Sequence, residues 1–209
     1  MRYALTDIHG CSKTLAHALE QMNFQVSDEL FFLGDYIDRG PDSYGVLQQI
    51  WALEERGYKV TCLRGNHEQM LLDYHNGKRE RYEWTPRRWH RSRTIDWMNG
   101  LKYYHETPGY LLVHAGLNFK SPTPLADKEA MLWERYWYDD IDFDWLAGRT
   151  VLHGHTPEPK VMVEATVKNM DKLGRLCIDT GCSHHSWEMG YLTVFNLDTR
   201  ETRFFAMLD

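Results

Sequence analysis

At 209 residues the chain is long enough for one substantial core and short for two, and its 43% apolar and 26% charged residues match a globular domain. A formal net charge of −6 excludes a protein that coats nucleic acid through bulk positive charge, so no stable nucleic-acid binding is expected. No run approaches the roughly 18 apolar residues of a membrane span, and Asp7 interrupts the start before an apolar signal region can form. The four cysteines, Cys11, Cys62, Cys177 and Cys182, lack CxxC spacing, which predicts reduced thiols and a cytoplasmic setting.

In chain order, Arg2–Thr6 reads as a first strand that ends at Asp7. Ser12 offers an N-cap for a helix with Leu15, Leu19 and Met22 on one face. Leu30–Leu33 is a continuous apolar run, the pattern of a buried strand, and it ends at Gly34-Asp35. A helix over Ser43–Arg56 follows, with Val46, Leu47, Ile50 and Leu53 inward and Gly57 as its stop. Lys59–Leu63 is a third strand, so the first third alternates β-α-β-α-β and predicts a parallel sheet with right-handed crossovers. Further on, Tyr110–Val113 and Thr150–Leu152 are short strands that run into histidines. Lys160–Val167, Leu176–Asp179, Tyr191–Asn196 and Thr202–Met207 read as antiparallel strands of a second sheet, joined by polar turns such as 169–172. The expected architecture is one α/β domain over 1–209: two packed mixed β-sheets flanked by helices.

The polar residues sit where the strands stop. Five strand ends carry Asp7-Ile8-His9, Gly34-Asp35-Tyr36-Ile37-Asp38-Arg39-Gly40, Gly65-Asn66-His67-Glu68, His114-Ala115-Gly116 and His153-Gly154-His155. Ligands of open α/β sheets bind beyond the carboxyl ends of strands, and imidazole, carboxylate and amide oxygen are the donors that divalent metals take. One such fragment is common in surface turns. Five in succession have no packing explanation.

This series resembles the calcineurin-like metallophosphoesterase superfamily, and within it the phosphoprotein phosphatase branch that includes bacterial and phage-type Ser/Thr phosphatases. The Gly-Asp-x-x-Asp-Arg-Gly and Gly-Asn-His-Glu stretches match in full, and the series spans positions 7–155, about three quarters of the chain. Two positions depart from the pattern without removing a donor: Thr6 stands where glycine commonly precedes the first aspartate, and Ala115 replaces the middle glycine of His-Gly-Gly. The resemblance implies one metal on Asp7, His9 and Asp35 and a second on Asp35, Asn66, His114 and His155, with Asp35 bridging. Manganese, iron and zinc all suit such donors. It also implies in-line attack by a hydroxide held between the metals. His67 would be the general acid, oriented by Asp38, and Arg39 and Arg135 would grip phosphate oxygens.

The resulting expectation is a metal-dependent phosphomonoesterase, foremost a serine/threonine protein phosphatase. The alternative is a symmetrical diadenosine tetraphosphate hydrolase; a non-catalytic binding protein on the same fold is a third reading, and no ligand or acid is missing to favour it. The partner is thus a phosphorylated substrate, either phosphoprotein or nucleotide. Residues 78–93 bear on the choice. Seven basic residues (Lys78, Arg79, Arg81, Arg87, Arg88, Arg91, Arg93) against Glu80 and Glu83 give +5, with Tyr82, Trp84 and Trp89 interleaved. The segment reads either as a Pro86-interrupted, solvated helix pair or as a contact for a phosphate-rich, base-bearing substrate. Asp139, Asp140, Asp142 and Asp144 read as a solvated acidic loop, since the EF-hand glycine and terminal glutamate are absent. His153 reads as a second-layer contact or a strand end, and His184 and His185, after Asp179-Thr180-Gly181-Cys182, as residues that line the site without ligating metal.

Overall fold

A computed structural model describes residues 1–209. Its first third is β1 (Arg2–Leu5), α1 (Ser12–Met22), β2 (Glu29–Phe32), α2 (Ser43–Glu55) and β3 (Lys59–Cys62). Next come α3 (Asn66–His75), α4 (Arg91–Asn99), β4 (Tyr104–Thr107), β5 (Tyr110–Val113), α5 (Lys128–Trp133), α6 (Phe143–Leu146) and β6 (Thr150–His153). The chain ends with α7 (Lys160–Val167), α8 (Met170–Leu173), β7 (Arg175–Cys177), β8 (Tyr191–Asn196) and β9 (Thr202–Ala206).

Two sheets result, in the orders β3-β2-β1-β8-β9 and β4-β5-β6-β7. β1, β2 and β3 are parallel, as the β-α-β alternation predicts. In the second sheet β5, β6 and β7 are parallel and β4 is antiparallel at the edge. The apolar run of β2 shows how the layers form. Leu30 and Phe32 join Leu15, Val46, Leu47 and Ile50 beneath α1 and α2, while Phe31 and Leu33 face the other way, against Leu112, Leu152 and Leu176 of the second sheet. Period-two alternation thus feeds two cores from one strand. Each such side chain contributes about 1.5–3 kcal/mol by leaving water, so the sheet–sheet contact holds the two halves in fixed register. The second sheet's outer face is covered by Met131, Trp137 and Leu146.

Several local expectations are corrected. Lys160–Val167 is helix α7 and not a strand: Pro159 precedes it, and Val163 and Thr166, three apart, are the buried positions. Residues 169–172 fall largely in α8 and not in a turn between strands. β7 is parallel to β6, and β8 and β9 extend the first sheet, so the second sheet is mostly parallel where an antiparallel one was expected. Ser12 is the first helical residue, not the cap, and its hydroxyl donates to Asp42 at 2.8 Å. No helix pair forms over 78–90. Thr85 before Pro86 is kept out of helical conformation, and α4 starts only at Arg91. β4 was not foreseen. No helix is long and apolar enough to cross a membrane, and all four cysteines are free thiols.

Tyr36, fully buried, lies 3.0 Å from the Phe32 carbonyl and 2.7 Å from that of Leu63, so its single hydroxyl ties the ends of β2 and β3 together. Tyr36→Phe is expected to lower stability by about 1–2 kcal/mol in urea denaturation with an unchanged slope. An unchanged midpoint would show that the tie contributes nothing.

Candidate active site

Every one of the five motifs lies at the carboxyl end of a parallel strand: β1, β2 and β3 in one sheet, β5 and β6 in the other. The loops that leave these strands are conformationally demanding. Asp7, His9, Asp35, Asp38, Arg39 and His155 all take positive φ, between 47° and 70°, which costs a non-glycine residue on the order of 1–2 kcal/mol. Backbone bonds impose it: Asp7 N to Gly34 O, His9 N to Asp35 O, Gly10 N to Tyr36 O and Gly40 N to His9 O. Glu68, wholly buried, accepts from the amides of Asp35, Tyr36 and Gly65 at 2.9–3.0 Å. Burial and the Asp35 charge push its carboxyl up to about 7, against the pull of the amides. The glycines are needed for space. A Cβ on Gly65 would stand 2.2 Å from Asp35 Oδ1, and one on Gly154 would stand 2.1 Å from Asp7 Oδ2.

The structure brings together all six expected ligands, each buried. Asp35 is central, with Oδ2 at 3.4 Å from His9 Nε2 and Oδ1 at 3.5 Å from His114 Nε2. Asp7 Oδ1 is 3.8 Å from His9 Nε2. These gaps are too long for hydrogen bonds. They leave room for a cation: donors about 2.1 Å from one metal stand about 3.0–3.4 Å apart, so these groups would close in by a few tenths of an ångström around it. His9 Nδ1 and His114 Nδ1 each face a backbone carbonyl, of Ile37 and Leu33, at 2.9 Å. Those carbonyls take N–H from Nδ1, which turns Nε2 of both rings towards the site. His114 Nε2 lies 2.9 Å from Asn66 Oδ1. His155 Nε2 is buried without a hydrogen-bond partner, and burial pulls this imidazole down to about 3, the neutral form a metal takes. The donor set therefore fits divalent metals, in two groups that share Asp35: His9 with Asp35, and His114 with His155.

His67 also comes within reach of the first group, with Nε2 4.0 Å from Asp35 Oδ2. Its Nδ1 is 2.6 Å from Asp38 Oδ2. Burial lowers its pKa, but the Asp38 hydrogen bond and the Asp35 and Asp38 charges outweigh that and raise it. A proton held on Nε2 would point into the site. Asp7 is held by its other oxygen: Oδ2 accepts from the Thr6 hydroxyl at 2.6 Å and from the His155 amide at 3.0 Å. The threonine at the departure from the family pattern thus orients the Asp7 carboxylate.

Arg39 is exposed and makes no hydrogen bond or ion pair; its charge reaches Asp179 and His184. Arg135 is exposed too, with Nη1 3.0 Å from the His155 carbonyl and 3.1 Å from Thr156 Oγ1, which sets it beside the second group of donors. His184 is half-buried and His185 exposed, and neither belongs to a metal-binding group. His153 is a buried neighbour, 3.2 Å from the Tyr138 hydroxyl, and burial pulls it to about 3. Residues without an assigned role in the sequence also line the site. Asp179 is buried, and burial and Asp7 push its carboxyl well up. Tyr82 places its hydroxyl on Asp38 Oδ2. Trp133, 37% exposed, stands edge-on to the His155 ring with centroids 6.1 Å apart. Of these, the Asp179-Thr180-Gly181-Cys182 stretch carries a family signal, and Tyr82 lies in the basic aromatic segment 78–93 without a contact assigned to it.

A model of the calcineurin-like phosphoesterases matches residues 3–197. The chain belongs to that family. As a metallophosphoesterase it resembles symmetrical bis(5'-nucleosyl)-tetraphosphatases. The one from Nitrosomonas europaea is 35% identical over 121 residues, covering 55% of this chain and 44% of the relative. The one from Cellvibrio japonicus is 34% identical over 123 residues, again 55% and 44%. The matched stretch is thus less than half the length of those relatives. Among solved structures, a protein serine/threonine phosphatase from Saccharomyces cerevisiae superposes with a TM-score of 0.71 at 14% identity, covering 100% of this chain and 80% of that one. A cold-active protein-tyrosine phosphatase from a psychrophilic Shewanella gives 0.63 at 15% identity, covering 98% and 80%.

Gly154→Ala is expected to displace the Asp7 carboxylate and weaken metal binding at least about tenfold. Metal titration followed by calorimetry measures this; affinity equal to the parent would separate Asp7 from the metal site.

Proposed function

We propose that this metallophosphoesterase hydrolyses dinucleoside polyphosphates symmetrically, releasing two nucleoside diphosphates from a tetraphosphate. The observation that carries this is the placement of residues 78–93. Through Tyr82 the +5 segment is fastened to the Asp38–His67 pair, at the group that would protonate the leaving oxygen. A departing nucleoside diphosphate brings extra phosphate charge to that side; a departing serine or threonine brings none. Lys78, Arg79, Arg81, Arg87, Arg88, Arg91 and Arg93 are all exposed, and only Arg93 has an ion-pair partner, Glu55. Screening over about 8 Å confines their attraction to phosphates close by, which suits a short polyanion held at the site. Exposed rings at Trp133 and Trp89 offer faces on which a base can stack. The tetraphosphatase relatives support the same reading. The phosphatases of the protein-phosphatase kind are alike at the level of fold alone, so the phosphomonoester reading has less behind it.

In this reading Asp7, His9, Asp35, Asn66, His114 and His155 hold two divalent ions, with Asp35 shared between them. Oxygen and nitrogen donors suit manganese, iron or zinc. When bound, such ions polarise phosphoryl oxygens and acidify water. The chain's own residues do the rest. Arg39 and Arg135 orient the non-bridging oxygens with planar guanidinium donors. His67 holds a proton on Nε2 for the leaving oxygen, and Asp38 keeps the ring turned towards it.

Turnover of diadenosine tetraphosphate is expected to exceed that of a phosphoserine peptide by at least about a hundredfold in kcat/KM, with two ADP as the only products. The reverse preference, or release of AMP and ATP, would sink the proposal. Reversing charge at Arg79 and Arg81 together is expected to cost about tenfold on the tetraphosphate and little on p-nitrophenyl phosphate. Equal losses on both substrates would place the segment's role elsewhere.

A further inference from the structure

We infer that Tyr82 is a positioning residue for the general acid: its hydroxyl fixes the Asp38 carboxylate, and through it the His67 imidazole, in the orientation that proton transfer needs. The inference rests on His67 being the acid but not on which phosphoester is cleaved.

The Asp38 carboxylate has an uneven environment. Oδ2 takes both the His67 Nδ1 contact, at 2.6 Å, and the Tyr82 hydroxyl, whereas Oδ1 is buried with no hydrogen-bond partner. One contact from the imidazole leaves the carboxylate free to rock about its soft terminal torsion; the phenol, as a second donor on the same oxygen, restrains it. The same hydroxyl oxygen lies 2.7 Å from the backbone carbonyl of His67, so one atom bridges the acid's own peptide and the carboxylate that holds its ring. A single O–H cannot point fully at both, and the charged carboxylate is the stronger acceptor. Burial and the Asp38 charge raise the phenol's pKa, which keeps it a donor. The ring is fixed as well. It stacks on Tyr74 of α3 at 6.2 Å between centroids and packs against the core beneath α1 and α2.

No strand end supplies this residue. It comes from the basic segment, so one side chain couples the surface that would meet the leaving group to the residue that would protonate it. Chemically the effect must scale with the basicity of the leaving oxygen. A weakly basic p-nitrophenolate departs with little help, while phenolate needs the proton.

Tyr82→Phe removes the hydroxyl and keeps the stacked ring, so folding is preserved. The test compares Tyr82→Phe, His67→Asn and the double variant on phenyl phosphate and p-nitrophenyl phosphate, with added manganese. Tyr82→Phe is expected to lower kcat on phenyl phosphate on the order of tenfold, to leave p-nitrophenyl phosphate within about twofold, and to have no further effect once His67 is Asn. Proton NMR of the metal-free protein gives a second readout: the downfield His67 Nδ1–H resonance should move upfield or broaden away in Tyr82→Phe. Equal losses on both substrates, additive losses in the double variant, or an unmoved resonance would overturn the inference. Should His67→Asn itself spare phenyl phosphate, the acid assignment falls. Should His67→Asn be impaired and Tyr82→Phe unaffected, only the role of Tyr82 falls.

Discussion

The Asp35 carboxylate is the constraint around which the rest is arranged. It is buried, it sits in a left-handed backbone conformation, and it faces three imidazoles, those of His9, His67 and His114. Burial opposes its charge, yet the His114, His9 and His67 environment and the His67 amide hold its carboxyl below the ordinary range. No short-range preference of an aspartate selects that backbone. Glu68 does, by gripping the amides of Asp35, Tyr36 and Gly65 with one carboxylate. The loop after β2 and the loop after β3 become one rigid piece. Asn66 and His67, which open α3, are carried by that piece, so they and the Asp35 carboxylate cannot drift apart.

The two-sheet architecture explains why groups 148 residues apart in sequence, the His155 amide and the Asp7 carboxylate that accepts from it, meet within hydrogen-bond distance. Parallel strands send all their carboxyl ends to one edge, and packing two such edges side by side doubles the number of loops that converge. The register is set by Phe31 and Leu33 on one side and Leu112, Leu152 and Leu176 on the other. A fixed sheet–sheet contact positions His114 and His155 against Asp35 to within an ångström or so, which loops alone would not do.

The legible parts of the sequence were those where one physical requirement dominates. Buried parallel strands need continuous apolar runs, and Leu30–Leu33 can be little else. Metal sites draw on few residue types, so Asp7, His9, Asp35, Asn66, His114 and His155 stood out against a background where histidine has no packing task. Lys160–Val167 misled because its valines and threonine suit a strand by composition; only the three-residue spacing of Val163 and Thr166 marks a helix, and eight residues give that signal little room. The second sheet's direction was hidden for another reason, since β7 pairs with β6 through a crossover whose helices had been read as strand and turn. Glu68 was visible as a letter of a motif without its task, which lies in backbone contacts that no side-chain pattern reports. Tyr82 was beyond reach: a tyrosine in a basic, aromatic loop says nothing of which carboxylate it will find.

Thr6 and Tyr82, one at a departure from the family pattern and the other in a segment outside the motifs, do the same physical thing. Each places a hydroxyl on one oxygen of a buried carboxylate, Asp7 Oδ2 and Asp38 Oδ2. A carboxylate has two equivalent oxygens and a soft terminal torsion, so a lone aspartate in a site is poorly oriented. A neutral hydroxyl removes that freedom without adding charge to a site already crowded with carboxylates and imidazoles. For Asp7 the consequence is that Oδ1 is left turned towards His9; for Asp38, that Oδ2 is held beside His67. The donor series states which atoms meet the chemistry. These two hydroxyls, drawn from positions that the series leaves open, govern how steadily the atoms are presented, and that is where chains with identical ligands can come to differ in what they hydrolyse well.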